Sequence, residues 1–158
     1  MTKWRFVGQV LALCVLGVIG CSLCDSAGRT SKKLQDLVDQ AAALVQSKGE
    51  QAFPELRVRG SKWFHDDTYV FVVREDGVEL VNPAFPQFEG KNWADIEGGK
   101  YKSHIDTIFK ELADRDAVSL TVDWPKPGSG ELRRKVCYFR KVTLGGKVLA
   151  VGSGVYAQ

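Results

Sequence analysis

The apolar and polar positions divide the chain into segments of different period. Lys3 and Arg5 precede a run from Phe6 to Gly20 that carries no charge and one strongly polar side chain, Gln9. A basic start with a short apolar core is the pattern of an export signal, and the run is shorter than the ~20 residues a spanning helix needs. Residues 21–30 are mostly small and polar, with Gly28, and read as a flexible tether. Leu34, Leu37, Val38, Ala41, Ala42, Leu44 and Val45 then recur on one helical face, which predicts an amphipathic helix over about Ser31–Lys48, stopped by Gly49. A second, shorter helical piece runs through Glu50–Leu56, interrupted by Pro54.

From Thr68 the period changes. Thr68–Val73 is β-branched and aromatic, Glu75-Asp76-Gly77 is a turn, and Val78–Val81 returns as a second strand. Residues 82–100 form a long connection rich in Pro, Gly and Asn that carries Phe85, Phe88 and Trp93. Such a loop reads as a lid or pocket wall rather than a linker. Tyr101, Ile105, Ile108, Phe109 and Leu112 mark one face of a second helix, Tyr101–Leu112. Val118, Leu120, Val122 and Trp124 alternate with polar residues, a loop follows over Pro125–Gly130, and strands at Arg134–Val142 and Lys147–Tyr156 flank a tight turn at Gly145-Gly146. The order predicts an α+β domain over residues 31–158. Its five-stranded antiparallel sheet has the long N-terminal helix on one face and the 82–114 segment on the other, with space for a ligand beneath that segment.

Composition narrows the picture. Without residues 1–20 the chain suits a single domain with its own core. The 22 basic and 19 acidic residues of the whole sequence come near balance once Lys3 and Arg5 are removed, and the rest are scattered, which argues against a nucleic-acid surface. The end of the apolar run, Val18-Ile19-Gly20-Cys21, resembles the bacterial lipobox. That resemblance implies cleavage after Gly20 and a lipid on Cys21, hence an exported, membrane-anchored protein at the periplasmic or cell-surface side. The alternative is an ordinary signal peptide with cysteines placed by chance. Ser22 after the cysteine, where no acidic residue stands, is the usual mark of outer-membrane sorting in Gram-negative bacteria. Cys24 and Cys137 remain, and Cys137 reads as a small buried hydrophobe rather than half of a bridge.

Enzymatic readings find little support. His65 and His104 lie in different elements, and His65-Asp66-Asp67 reads as a solvated turn rather than a metal site. Ser153 between Gly152 and Gly154 falls inside a terminal strand, not at the strand-to-helix turn a nucleophile elbow requires. No phosphate-binding glycine loop is present, and no cofactor is expected.

Four stretches carry a likeness. They are Tyr69–Val72 with Asp76-Gly77; Asn82-Pro83 through Glu89-Gly90-Lys91-Asn92; Asp123-Trp124-Pro125-Lys126-Pro127-Gly128; and Lys135–Tyr138 with Gly152–Tyr156. Together they resemble the single Cache domains of bacterial extracytoplasmic sensors. The resemblance spans about residues 31–157. It implies a PAS-like sheet and a pocket for a small organic acid such as acetate, propionate, pyruvate or lactate. Two departures stand out. Val118, Ser119 and Val122 replace the Gly-Trp pair and tyrosine that often precede the family's Trp-Pro, and Asn82 stands where a histidine is common. No second apolar span or signalling domain follows, so a signal would pass through a separate sensor kinase, chemoreceptor or transporter.

A small carboxylate needs a cation or several N–H donors in a cavity that excludes water. The resemblance makes Lys135 the candidate cation, with a solvated strand-end lysine as the alternative. Tyr138 would add a hydroxyl, although strict alternation puts Lys135 and Tyr138 on opposite faces. Tyr69 and Asn82 lie at the ends of the first hairpin, beside the covering loop. Trp124 is either core or pocket wall. The expected function is capture of a small organic acid by a membrane-tethered protein. The alternative is an interaction or structural lipoprotein that keeps the fold and binds no ligand.

Overall fold

A computed structural model describes residues 23–157. The segment expected to be an export signal and Cys21, the expected lipidation residue, lie outside the described residues. Helix α1 runs from Leu23 to Lys48, so the backbone is already helical through most of the segment expected to be a tether. The helix buries Leu34, Val38, Ala41, Ala42 and Val45, the stripe its periodicity announces. Gly49 ends it with φ 60°, a conformation that costs glycine little. A 3-10 turn (Gly49–Ala52) and the short helix α2 (Phe53–Leu56) follow. Pro54 sits in the first turn of α2, where its missing N–H has no partner to lose, so it starts this helix rather than interrupting one.

The expected strand at Thr68–Val73 is divided. Strands β1 (Phe64–His65) and β2 (Thr68–Tyr69) pair as a small antiparallel hairpin of their own. Strand β3 (Phe71–Arg74) begins one residue later. The break falls at Val70, whose N–H donates to the Trp63 carbonyl at 2.8 Å instead of continuing the main ladder. Strand β4 (Glu79–Val81) returns antiparallel to β3 across a turn at Gly77 (φ 87°). The covering segment has 3-10 turns at Pro86–Phe88 and Ile96–Gly99, then helix α3 (Lys102–Leu112). Strands β5 (Ala117–Pro125), β6 (Leu132–Leu144) and β7 (Lys147–Tyr156) complete the domain. The sheet is antiparallel in the order β4-β3-β7-β6-β5. Among the described residues no helix is long and apolar enough to cross a membrane.

Alternation along the strands divides the interior into two cores. Val72, Val142, Leu149 and Val151 face α1 and α2, joined by Val45, Phe53 and Leu56. Phe71, Val73, Cys137, Phe139 and Ala150 face the opposite way, under Phe85, Phe88, Trp93, Ile105 and Ile108 of the covering segment. The second core holds the candidate site.

Candidate ligand site

Lys135 lies on β6 two residues from Cys137, and period two turns both toward the covering segment. Its side chain is 1 % exposed and crosses the central strand at Gly154. A Cβ on Gly154 would stand 2.9 Å from Lys135 Cε and 2.6 Å from Cys137 Sγ, so glycine leaves the lane in which the lysine stem lies. Gly152 does the same for Phe71 and Phe139, each of which a Cβ there would meet at 2.8 Å. The Lys135 ammonium ends 3.8 Å from the centre of the Tyr69 ring, 5.0 Å from that of Tyr156 and 5.4 Å from that of Phe71. Aromatic faces attract a cation, but Nζ has no hydrogen-bond partner. Burial pulls its pKa down to about 8.

The ammonium borders a small cavity walled by Phe71, Trp93, Ile108, Trp124 and Phe139. The space open to a water centre is about 10 Å³, enough for one water molecule. Trp124 packs 4.7 Å from both Trp93 and Tyr101, and meets Phe85 and Phe88 edge-on. The cavity roof is therefore an aromatic layer built from Trp124 of β5 and the rings of the covering segment packed on it. That segment is tied down from outside: Arg57 donates from Nε and Nη2 to the Glu89 carboxylate at 2.9–3.1 Å, and from Nη2 to the Leu80 carbonyl at 3.0 Å.

A second buried ionisable group lies on this side of the sheet. Glu79 is fully buried, and its backbone pairs with the covering segment through Glu79 N–H to Lys91 O (3.0 Å) and Gly90 N–H to Glu79 O (2.8 Å). The Trp93 indole N–H donates to Oε2, while Oε1 has no partner. Burial raises the Glu79 carboxyl to about 8, against the lowering effect of the Trp93 hydrogen bond. The turn sets its orientation: Arg74 N–H donates to the Val78 carbonyl at 2.9 Å, and the next pair, Val73 with Glu79, puts Glu79 on the side of Val73, the ligand side of the sheet. Beyond that pair a bulge leaves one residue of β4 over and sets Val81 against Val72, on the helix side.

The sequence-derived candidates separate as follows. Tyr69, Trp124 and Lys135 come together: Tyr69 is wholly buried beneath the ammonium, with its hydroxyl unpartnered and held in the protonated form by burial. Asn82 is buried at the root of the covering segment, where its Oδ1 accepts from Phe85 N–H (3.1 Å) and its N–H donates to Glu89 Oε1 (2.7 Å). It shapes that segment rather than facing the ammonium. Tyr138 points away, to the α1 side, and its hydroxyl donates to Asp39 at 3.4 Å. No bulge intervenes between Lys135 and Tyr138 in the β5–β6–β7 register, so alternation holds and Tyr138 leaves the site. His65, Asp66 and Asp67 span the β1–β2 turn, with Asp67 paired to Lys126 at 3.1 Å. Cys137 is a buried free thiol packed in the ligand-side core, pushed up to about 11 by burial.

Against this geometry the comparisons are specific about fold. A Cache domain family model matches residues 28–158, and the chain belongs to that family. Solved structures agree. A Cache chemosensory domain studied for its recognition of carboxylic acids is 23 % identical, with a TM-score of 0.65 over 85 % of this chain and 97 % of that one. A periplasmic sensor domain of a chemotaxis protein is 23 % identical, TM-score 0.63, over 84 % and 98 %. A methyl-accepting chemotaxis protein from Vibrio parahaemolyticus is 21 % identical, TM-score 0.63, over 84 % and 92 %. No curated protein matches the chain. The fold is thus the PAS-like Cache fold, and a sensing role fits the class.

Proposed function

We propose that this protein is a non-enzymatic sensor domain that binds a small organic acid outside the cytoplasm, held to a membrane by lipid on Cys21. One observation carries the reading: the buried Lys135 ammonium has no hydrogen-bond partner, yet it borders a cavity between aromatic walls. A buried charge without a partner is costly, and a carboxylate entering the cavity removes that cost. The solved relative that recognises carboxylic acids has the same fold, which makes this ligand class the first to test. Tyr69 forms the platform for the ammonium, Trp93 and Trp124 close over the ligand, and Asn82 positions the segment that carries Trp93. A separate chemoreceptor, sensor kinase or transporter reads the bound state.

The competing reading is an interaction lipoprotein with no ligand, and the small cavity favours it. Calorimetric titration with acetate, propionate, pyruvate and lactate, alongside thermal melts at millimolar ligand, separates the two. Ligand that binds only the native state raises its stability by mass action. The proposal expects binding by at least one acid and its loss in Lys135→Met. Absence of binding across a broad metabolite panel sinks it. Retention of the protein in the detergent phase, abolished by Cys21→Ser, tests the anchor.

A further inference from the structure

Lys135 is the one buried lysine among the described residues; the others are exposed or half-buried. An ammonium has three N–H donors to satisfy, and here Nζ has no hydrogen-bond partner. Rings lie against it instead, those of Tyr69, Tyr156 and Phe71. Burial is the largest influence on the group and brings its pKa to about 8, while Cys137, Glu79 and Asp67 act in the other direction without reversing it. Roughly a tenth of Lys135 is therefore free amine at pH 7, against less than about one part in a thousand for a lysine at the ordinary value. A lysine desolvated in an apolar pocket is the form of this residue that condenses with carbonyl compounds.

The cavity beside Nζ suits that chemistry. Its wall holds no competing nucleophile: the Cys137 thiol is pushed up to about 11 and stays protonated, and the Trp93 N–H is committed to Glu79. The lane at Gly154 holds the lysine stem against the sheet, so the amine is presented at the cavity without further ordering. The space open to a water centre is only about 10 Å³. A ligand held by contact alone must keep about 3.5–4.0 Å between carbon atoms. A carbon bonded to Nζ comes well inside that distance, so covalent capture fits a small molecule into less room.

We propose that Lys135 captures a small neutral aldehyde as a Schiff base, which gives the domain a second class of ligand, one without a carboxylate. The amine nitrogen adds to the carbonyl carbon, the C=O bond breaks as the C=N bond forms, and the oxygen leaves as water. Counted from the ammonium, two of its three hydrogens leave in that water and one stays on the iminium, so atoms and charge balance with no oxidant or reductant. The iminium keeps its positive charge over the Tyr69 ring, its alkyl end lies between Trp93 and Trp124, and no anion is buried. The two ligand classes exclude each other, because an acid holds the ammonium and an aldehyde consumes the amine.

Full-length protein in detergent at pH 7 is treated with acetaldehyde and cyanoborohydride, which reduces each Schiff base to a stable ethylamine, and every lysine is followed by peptide mass spectrometry. Lys135 is expected to be ethylated about tenfold or more faster than any other lysine, its larger amine fraction outweighing slower access to a buried group. Labelling of Lys135 no faster than the exposed lysines, or none, overturns the inference. Benzaldehyde, whose ring exceeds the cavity, is expected to lose that advantage, and an equal advantage with benzaldehyde overturns the part given to the cavity. An acid that titration shows to bind is expected to slow labelling at Lys135 alone. Fast labelling that no acid slows supports the aldehyde site and removes Lys135 from the carboxylate reading. Slow labelling beside measurable acid binding overturns the aldehyde site and leaves the carboxylate site standing. The wild-type protein decides every arm, so no variant has to fold.

Discussion

Replacing Lys135 with methionine keeps a stem of similar length and removes the charge. The structure makes two opposite effects follow from that one change. The ammonium is buried and lacks a hydrogen-bond partner, and burial lowers its pKa from 10.5 to about 8. At about 1.4 kcal/mol per pH unit, carrying that proton inside the fold costs about 3 kcal/mol at pH 7. Because the folded pKa lies below the unfolded one, the cost is complete below pH 8 and fades as pH rises from 8 toward 10.5. Lys135→Met therefore stabilises the ligand-free protein at pH 7 by about 3 kcal/mol, roughly 10 °C in melting midpoint for a domain of this size. The gain shrinks to a fraction of that by pH 10. The same variant loses carboxylate binding. Thermal melts at pH 7 and pH 10, with and without the acid found by titration, measure all three quantities. A variant that melts at or below the parent at pH 7 without ligand refutes the view of Lys135 as an uncompensated charge, because it would mean the ammonium contributes net stability where it lies.

Three further outcomes are expected. Glu79 has the opposite sign: its folded pKa, raised from 4.5 to about 8, makes stability fall as pH rises from 4.5 to 8, by up to about 5 kcal/mol, and Glu79→Gln flattens that slope in urea titrations run across the window. Gly154→Ala puts a Cβ 2.6 Å from Cys137 Sγ and 2.8 Å from the Val136 carbonyl, so urea unfolding should show a loss of about 1–3 kcal/mol, with carboxylate affinity reduced because Lys135 Cε is displaced. Arg57→Ala frees Glu89 and should speed hydrogen exchange at Phe85, Phe88 and Lys91 N–H, with little change at β6 and β7; uniform exchange across the domain would deny the covering segment a motion of its own.

How much of this the chain announces depends on the physics at each place. The 3.6 period of Leu34, Val38, Ala41 and Val45 gives α1 its buried stripe, and the period-two pattern of 118–124 gives β5. Both elements bury one face, and one-faced burial leaves a clean record in sequence. The same alternation separates Lys135 from Tyr138, and the structure upholds it, so the tyrosine belongs to the helix side. Glu79 was legible only in part. A turn over Glu75–Gly77 pairs Val73 with Glu79 and so gives its face, but its complete burial depends on how β4 meets the covering segment, a tertiary matter. The divided strand at Val70 is of the same kind, since a backbone bond to Trp63 decides it and no periodicity does. The only trace of the burial of Glu79 in the chain is a carboxylate inside a short apolar run, Val78-Glu79-Leu80-Val81.

The pair formed by Trp93 and Trp124, 4.7 Å apart with their planes inclined at 34°, has a consequence outside binding and stability. Two indoles so close and so oriented share their electronic excitation. Their coupling is expected to appear as a split band in the circular dichroism of the indole transitions. One indole belongs to the covering segment and the other to β5. The domain thus carries its own optical gauge of the distance between them, readable without any attached dye.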